Sequence, residues 1–413
     1  MKRIYLQKVK RCKRKRFYWK VLPVVILLIM HLCIPIFVCV TPSVAETANE
    51  NAEIQAEEKL NENILELIGQ LDLEALQEYV DSLGMLTDDS VADRLVAYIK
   101  GESFDYDNLW EELGNVLFEN VGDLLPAFAC ITAIALLSGV ISTLRSGSFS
   151  ATSADMIFLV SYAAALIPLI GVLTEVFQKV IDSVTEMQKQ MQITFPLLLT
   201  LMAASGGTLS VAICRPAVAF FSNTIVSLVS SVVFPLTITI IAFSMAANLT
   251  KELKISKFSA FFKSINKWII GICISVFGLF FTLQGITSAT YDGIVRRAAK
   301  YAIGNGIPIV GGFLSGGFDL AVAGSILIKN SIGSMSVFLM VSVLFEPIVL
   351  LLAVNLFLRF TAAITQPFGD SRISDFLGET ADNLHYCTAG LLFTAFFYFL
   401  SIMLIVSSSE ALL

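Results

Sequence analysis

"IPIVGGFLSGGFDLAVAG" (residues 307–324) carries five glycines and a single charge. A run of this kind is either a phosphate-cradling loop or a membrane segment whose small residues let helices approach. A P-loop places Lys and then Ser or Thr directly after its last glycine, so that an ammonium reaches the phosphates. Here Gly316-Gly317 is followed by Phe318-Asp319-Leu320, and the next cation is Lys329. The dinucleotide pattern G-x-G-x-x-G is also missing. The phosphate reading fails. Gly312 and Gly316 instead offer a small-x-x-x-small packing face.

Composition points to the membrane as well. The 413 residues are 56% hydrophobic and 15% charged, where a soluble domain is roughly a quarter charged. Mean hydropathy is +0.77. The net charge of −6 hides three unlike blocks. Residues 1–20 hold ten basic residues and no acid, and residues 46–125 hold twenty-one acids against three bases. From residue 126 onward, fifteen basic residues meet thirteen acidic ones. Blocks of this kind mark organisation along the chain.

The basic block, the apolar run Val21–Val40 and "TPSVA" predict a signal peptide over 1–45, cleaved after Ala45; the alternative is an uncleaved anchor. Residues 46–123 predict a small, acidic, helical region outside the cytoplasm, with Leu60, Ile64, Leu67, Ile68 and Leu71 along one helix face. "DYDNLWEE" (105–112) has Trp110 where a calcium loop needs glycine, so it is read as a solvated acidic face. The cysteines past the signal, Cys130, Cys214, Cys273 and Cys387, form no C-x-x-C pair and are expected to pack as small apolar residues.

Residues 124–413 form the membrane domain. Apolar segments fall at about 125–144, 156–176, 195–213, 217–249, 268–288, 307–328, 332–358 and 388–407, and a crossing needs roughly 20 apolar residues. Internal comparison relates them. Pro196 precedes Pro235 by 39 residues and Pro308 precedes Pro347 by the same 39, with Ser-Gly-Gly at 205–207 and again at 315–317. "LP" (125–126) and "FSA" (149–151) recur 109 residues later at 234–235 and 258–260. The expectation is an all-α polytopic protein with about 8–10 transmembrane or re-entrant helices, arranged in pseudo-repeats over about 126–234, 235–346 and a partial 347–413.

On that count the loops at 145–155, 250–267 and 359–387 are cytoplasmic. Arg145, Lys251, Lys254, Lys257, Lys263, Lys267, Arg359 and Arg372 then lie inside, with Arg215 and Lys329 at inner turns. Lys179, Lys189, Arg296, Arg297 and Lys300 fall outside, so the positive-inside rule is met. Pro126, Pro235 and Pro347 are expected to start helices at the outer surface. Residues 177–192, 289–304 and the lysine-rich "KELKISKFSAFFKSINKW" (251–268) read as interfacial amphipathic helices facing lipid headgroups.

Chemistry-bearing residues are few. There is no G-x-S-x-G and no H-E-x-x-H, and His385 is the only histidine after the signal. The chain therefore reads as a non-enzyme without cofactor, metal or nucleic-acid partner. The helix-packing or pore candidates are Pro196, Gly206, Gly207, Arg215, Pro235, Pro308, Gly312, Gly316, Gly317, Asp319 and Pro347. Arg215 sits before Pro216 at the turn of a proposed hairpin and is expected to snorkel to the cytoplasm. Asp319 falls about mid-bilayer, where a lone carboxylate costs roughly 2.5–3.5 kcal/mol.

"FPLLLTLMAASGGTLSVAICRPAVAFFSN" (195–223) and "LQGITSATYDGIVRRAAKYAIGNGIPIVGG" (283–312) resemble the signature stretches of the stage III sporulation protein AE family, and "LIKNSIG" (327–333) and "ITQPFGD" (364–370) fit as well. The resemblance implies a role in endospore formation, within a secretion-like complex in the mother-cell membrane around the forespore. It implies a channel or export-gate subunit. Its implied partners are other proteins of the stage III sporulation A operon, including a secretion-type ATPase and ring-forming proteins, and a forespore-side protein. The N-terminal region would face the intermembrane space. The alternative is an autonomous secondary transporter, which the repeats and Gly/Pro-broken segments also suit.

Overall fold

A computed structural model describes residues 50–83, 90–100, 107–144, 151–249, 256–306, 311–368 and 371–407. The signal-peptide segment and Pro308 lie outside these. The chain divides after Glu57. The first unit contributes only residues 50–57 to the description, the opening turns of α1. Everything below concerns the second unit, Glu58–Leu413.

Among the described residues there is no strand. Three short helices come first: α1 (Glu50–Gln70), α2 (Glu74–Leu83) and α3 (Val91–Ile99). Ser90 caps α3, its hydroxyl accepting from the Asp93 amide at 3.1 Å, and the free Val91 amide donates to Gln77 on α2 at 2.6 Å. Ile64 and Ile68, on the helix face that the apolar spacing predicts, are buried, as are Leu76, Val80, Val91 and Leu95.

The membrane domain is α4 (Asp107–Leu144), α5 (Ala151–Ala204), α6 (Thr208–Leu228), a π-helical turn (Val229–Val233), α7 (Phe234–Leu249), α8 (Ser256–Gly306), α9 (Gly311–Phe368) and α10 (Ser371–Ser407). Six stretches are long and apolar enough to cross a membrane. They form three antiparallel hairpins, α4/α5, α7/α8 and α9/α10. The helix ends flanking these three connections share one end of the bundle. There Arg372 stacks on the Phe158 ring at 3.4 Å, and the Tyr162 hydroxyl donates to the Met245 carbonyl at 2.7 Å. At the opposite end Gln190 of α5 donates to the Ser336 carbonyl of α9. Helix α10 is the most enclosed of the six stretches and α8 the least.

The eight apolar segments of the sequence are thus carried on fewer, longer helices. Residues 177–192 and 289–304 are not separate interfacial helices but the middle of α5 and the end of α8, and residues 256–268 are the first turns of α8. A stripe of apolar residues at helical spacing looks the same whether it faces lipid or other helices. In 177–192 that stripe, Val180, Val184 and Met187, is buried within the protein.

The prolines do not start helices either. Pro126 lies inside α4 and Pro347 inside α9. Pro235 is in the first turn of α7, but the helix continues through the π-turn from α6 without reversing. A proline removes one i→i−4 bond and crowds the carbonyl four residues back. The widened π-turn directly before Pro235 gives that carbonyl room. The Val233 carbonyl accepts from the Thr237 hydroxyl at 2.7 Å and from Asn266 of α8 at 3.5 Å. Gly390 of α10 faces the turn, and a Cβ added to it would stand 3.1 Å from Phe234 and 3.2 Å from Val233.

Candidate functional site: a helix-hairpin groove beside a buried polar centre

Helix α5 runs for 54 residues, about 80 Å at 1.5 Å per residue, far beyond a hydrocarbon core of about 30 Å. Its outward face changes character along its length. Met156, Leu159, Val160, Ile167 and Ile170 are exposed and apolar. From Thr174 the exposed positions turn polar: Glu175, Gln178, Asp182, Thr185, Lys189 and Gln192. Exposed apolar side chains on α9 (Leu352, Leu356, Phe360) and Trp268 of α8 lie at a similar level, and on α8 the exposed apolar face continues past it through Ile272, Val276 and Leu279. Lys179 and Glu346 form an ion pair between α5 and α9 just past this apolar belt.

Beyond the polar zone α5 turns into α6. The Gly206 amide donates to the Ala203 carbonyl at 3.0 Å and the Gly207 amide to Met202 at 2.9 Å. This is the double closure of a Schellman cap. Gly206 has φ 94°, a left-handed conformation that favours glycine. Gly207 is the N-cap of α6, so these two candidates make a helix reversal. The second Ser-Gly-Gly, at 315–317, lies inside α9 instead. The tripeptide permits the reversal without dictating it.

Between the facing sides of α5 and α6 lies a cavity of about 420 Å³. Pro196 and Arg215 both line it, with Phe195, Leu199, Val211 and Val218. Arg215 is inside α6 and exposed, which corrects its placement at a hairpin turn. The reversal is ten residues earlier in sequence, at Ser205–Gly207, where glycine permits it. Pro196, Gly206, Gly207 and Arg215 are therefore neighbours on one hairpin. Pro235 and Pro347 are elsewhere, Pro347 buried beside Glu346. Gly312, Gly316 and Gly317 are helical, but their surroundings lie outside the described residues. Asp319 is half-buried on α9. Five residues on, Gly324 packs on the acidic helix α1, where an added Cβ would be 3.1 Å from Leu67.

Behind the groove is a polar centre that sequence reasoning did not find. Gln190 and Thr194 of α5, Ser336 of α9 and Tyr398 of α10 are all buried. The Gln190 side chain donates to the Ser336 carbonyl at 2.9 Å; the Ser336 and Tyr398 hydroxyls each reach Thr194 at 3.4 Å. Phe195 meets Tyr398 edge-on, with ring centroids 5.5 Å apart. Tyr79 of α2 is buried nearby, and burial, then the Glu186 carboxylate, push its hydroxyl up from the ordinary tyrosine range. Lys329, read from the sequence as an inner-surface cation, is fully buried and donates to the Val406 carbonyl at 2.7 Å. The only available signal was its presence in "LIKNSIG", a stretch that carried the family resemblance. Among the described residues no cluster of His, Cys, Asp and Glu is arranged to hold a metal.

An all-helical chain with an apolar belt around six candidate spans is a polytopic membrane protein. The family described as Stage III sporulation protein AE matches residues 91–409, and the chain belongs to that family. It is similar to Stage III sporulation protein AE of Bacillus subtilis (strain 168), 25% identical over 400 residues, which cover 96% of this chain and 98% of that protein. No solved structure matches.

Proposed function

We propose that this sporulation protein is a non-enzymatic membrane subunit of a channel or export-gate assembly between mother cell and forespore. In this reading it lies in the mother-cell membrane around the forespore, and its acidic N-terminal region faces the intermembrane space. The carrying observation is the change of α5's exposed face from apolar to polar within one continuous helix. From Thr174 to Ala204 the helix rises about 45 Å past the belt, and α2 and α3 pack on α5 and α9 there. Such a shape suits a fixed pedestal that meets partners away from the bilayer. Those partners would be other proteins of the stage III sporulation A operon, among them an ATPase supplying the energy and ring-forming proteins. The repeat relation of 126–234, 235–346 and 347–413 is part of this proposal, and the three hairpins support it.

Asp319 separates the proposal from a secondary transporter, which would need an intramembrane carboxylate to bind and release a coupling ion. Asp319→Asn is expected to support sporulation at near-normal efficiency, and the purified chain in liposomes to show no ion-driven uptake. Loss of sporulation at normal protein level, together with gradient-driven uptake by the isolated chain, would establish the transporter instead.

A further inference from the structure

We infer that the α5/α6 groove is a binding site for an anionic amphiphile, taking up its phosphate or carboxylate head and one apolar chain. Three independent features of the groove point to this class. Its walls are mainly apolar, with Phe195, Leu199, Val211 and Val218 forming the floor. Its one charged lining residue is Arg215, and no acid lines it. Its size, about 420 Å³, falls within the range of roughly 300–1,000 Å³ typical of small-molecule sites.

Charge and position decide among apolar ligands. Arg215 makes no ion pair or hydrogen bond with any described residue, so its guanidinium is available to a bidentate oxyanion. The polar lining groups Gln192 and Asn223 sit together toward one end, Asn223 held by Gln188 at 3.0 Å. The other end closes on Ala203, directly before the Gly206 turn. Arg215 lies between these two ends, so an anionic head there leaves the apolar lining of Phe195, Leu199 and Val218 to take up a chain.

The surroundings are apolar a second time. After the polar zone ending at Gln192, the exposed positions on α5 become Pro196, Thr200 and Ala204, and α6 exposes Ile213 and Phe220. Residues 195–214 contain no charge at all. The rise from Ile170 to Pro196 is about 39 Å of helix, so this zone is distinct from the belt below. The inference is independent of the channel reading, since it concerns only what the hairpin holds.

Native mass spectrometry of the detergent-solubilised full chain tests it, with dioleoylphosphatidylglycerol and dioleoylphosphatidylcholine as probes. The expected result is preferential retention of phosphatidylglycerol, reduced about tenfold by Arg215→Gln, the size of a lost charge-assisted hydrogen bond. Arg215→Lys should restore part of it. Ala219→Trp, on an exposed groove position, should exclude both lipids while leaving the helical spectrum and elution unchanged. Competition by oleate at equal concentration would assign the ligand to fatty acids, and its failure to a phospholipid. Equal retention of both lipids, full displacement by inorganic phosphate, undiminished binding in Arg215→Gln, or normal binding in Ala219→Trp would each overturn the proposal.

Discussion

Lys329 on α9 donates from its ammonium to the carbonyl of Val406 at 2.7 Å, one residue before α10 ends, and neither solvent nor lipid reaches it. The last carbonyls of a helix have no partner within the helix, and the partial negative charge there favours a cation. One side chain thus ties the central helix pair together and offsets its own desolvation with an oriented carbonyl.

Lys329→Met should therefore lower stability by about 1–3 kcal/mol, the cost of a buried acceptor losing its donor. Lys329→Glu should cost more, because it sets an anion at the negative end of α10. Thermal unfolding of the purified chain in detergent reads the difference. Unchanged melting in both variants would show that the contact contributes nothing.

Gly333, one turn further along α9, explains how close the two helices come. A Cβ added there would stand 2.6 Å from a Val406 methyl. Gly333→Ala should destabilise by about 1–3 kcal/mol through overpacking. Adding Val406→Ala should recover much of it, since removing the opposing methyls vacates that space. A double variant no better than the single one would place the strain elsewhere.

The α5–α6 reversal offers a conformational test. Gly206 has φ 94°, and a side chain in the left-handed region costs about 1–2 kcal/mol. Gly206→Ala should show that loss. Gly206→Asn should lose less, because asparagine tolerates the same region. Equal melting of Ala, Asn and parent chains would mean that the turn relaxes freely.

Tyr79 predicts the opposite sign. Its hydroxyl is buried with no hydrogen-bond partner among the described residues. Tyr79→Phe removes an unsatisfied polar atom and keeps the ring, so stability should hold or rise by up to about 1 kcal/mol. A clear loss would reveal a partner that the fold supplies only under native conditions.

The belt can be mapped on α5 alone. In a chain whose native cysteines are replaced, Gln178→Cys and Asp182→Cys should react with an impermeant thiol reagent, while Ile167→Cys should not. Reaction at 167 comparable to that at 178 would put the bilayer boundary elsewhere.

Read alone, the sequence determined the class, the acidic N-terminal helices and the mainly apolar make-up of the chain, because each depends on composition or on 3.6-residue spacing within one segment. Ser205-Gly206-Gly207 stood out in the sequence only as a repeat anchor and packing candidate, and that it reverses the chain was decided by the fold. Tertiary structure decided which apolar segments join into single helices, as 158–176 and 195–204 do within α5. A helix continues or reverses according to what its flanks pack against, and a proline beside a π-turn reads in sequence like one that begins a helix. The pairing of Lys329 with Val406, 77 positions away, was equally illegible. Only the packing of α9 on α10 could bring that ammonium to a helix end and make a buried charge tolerable.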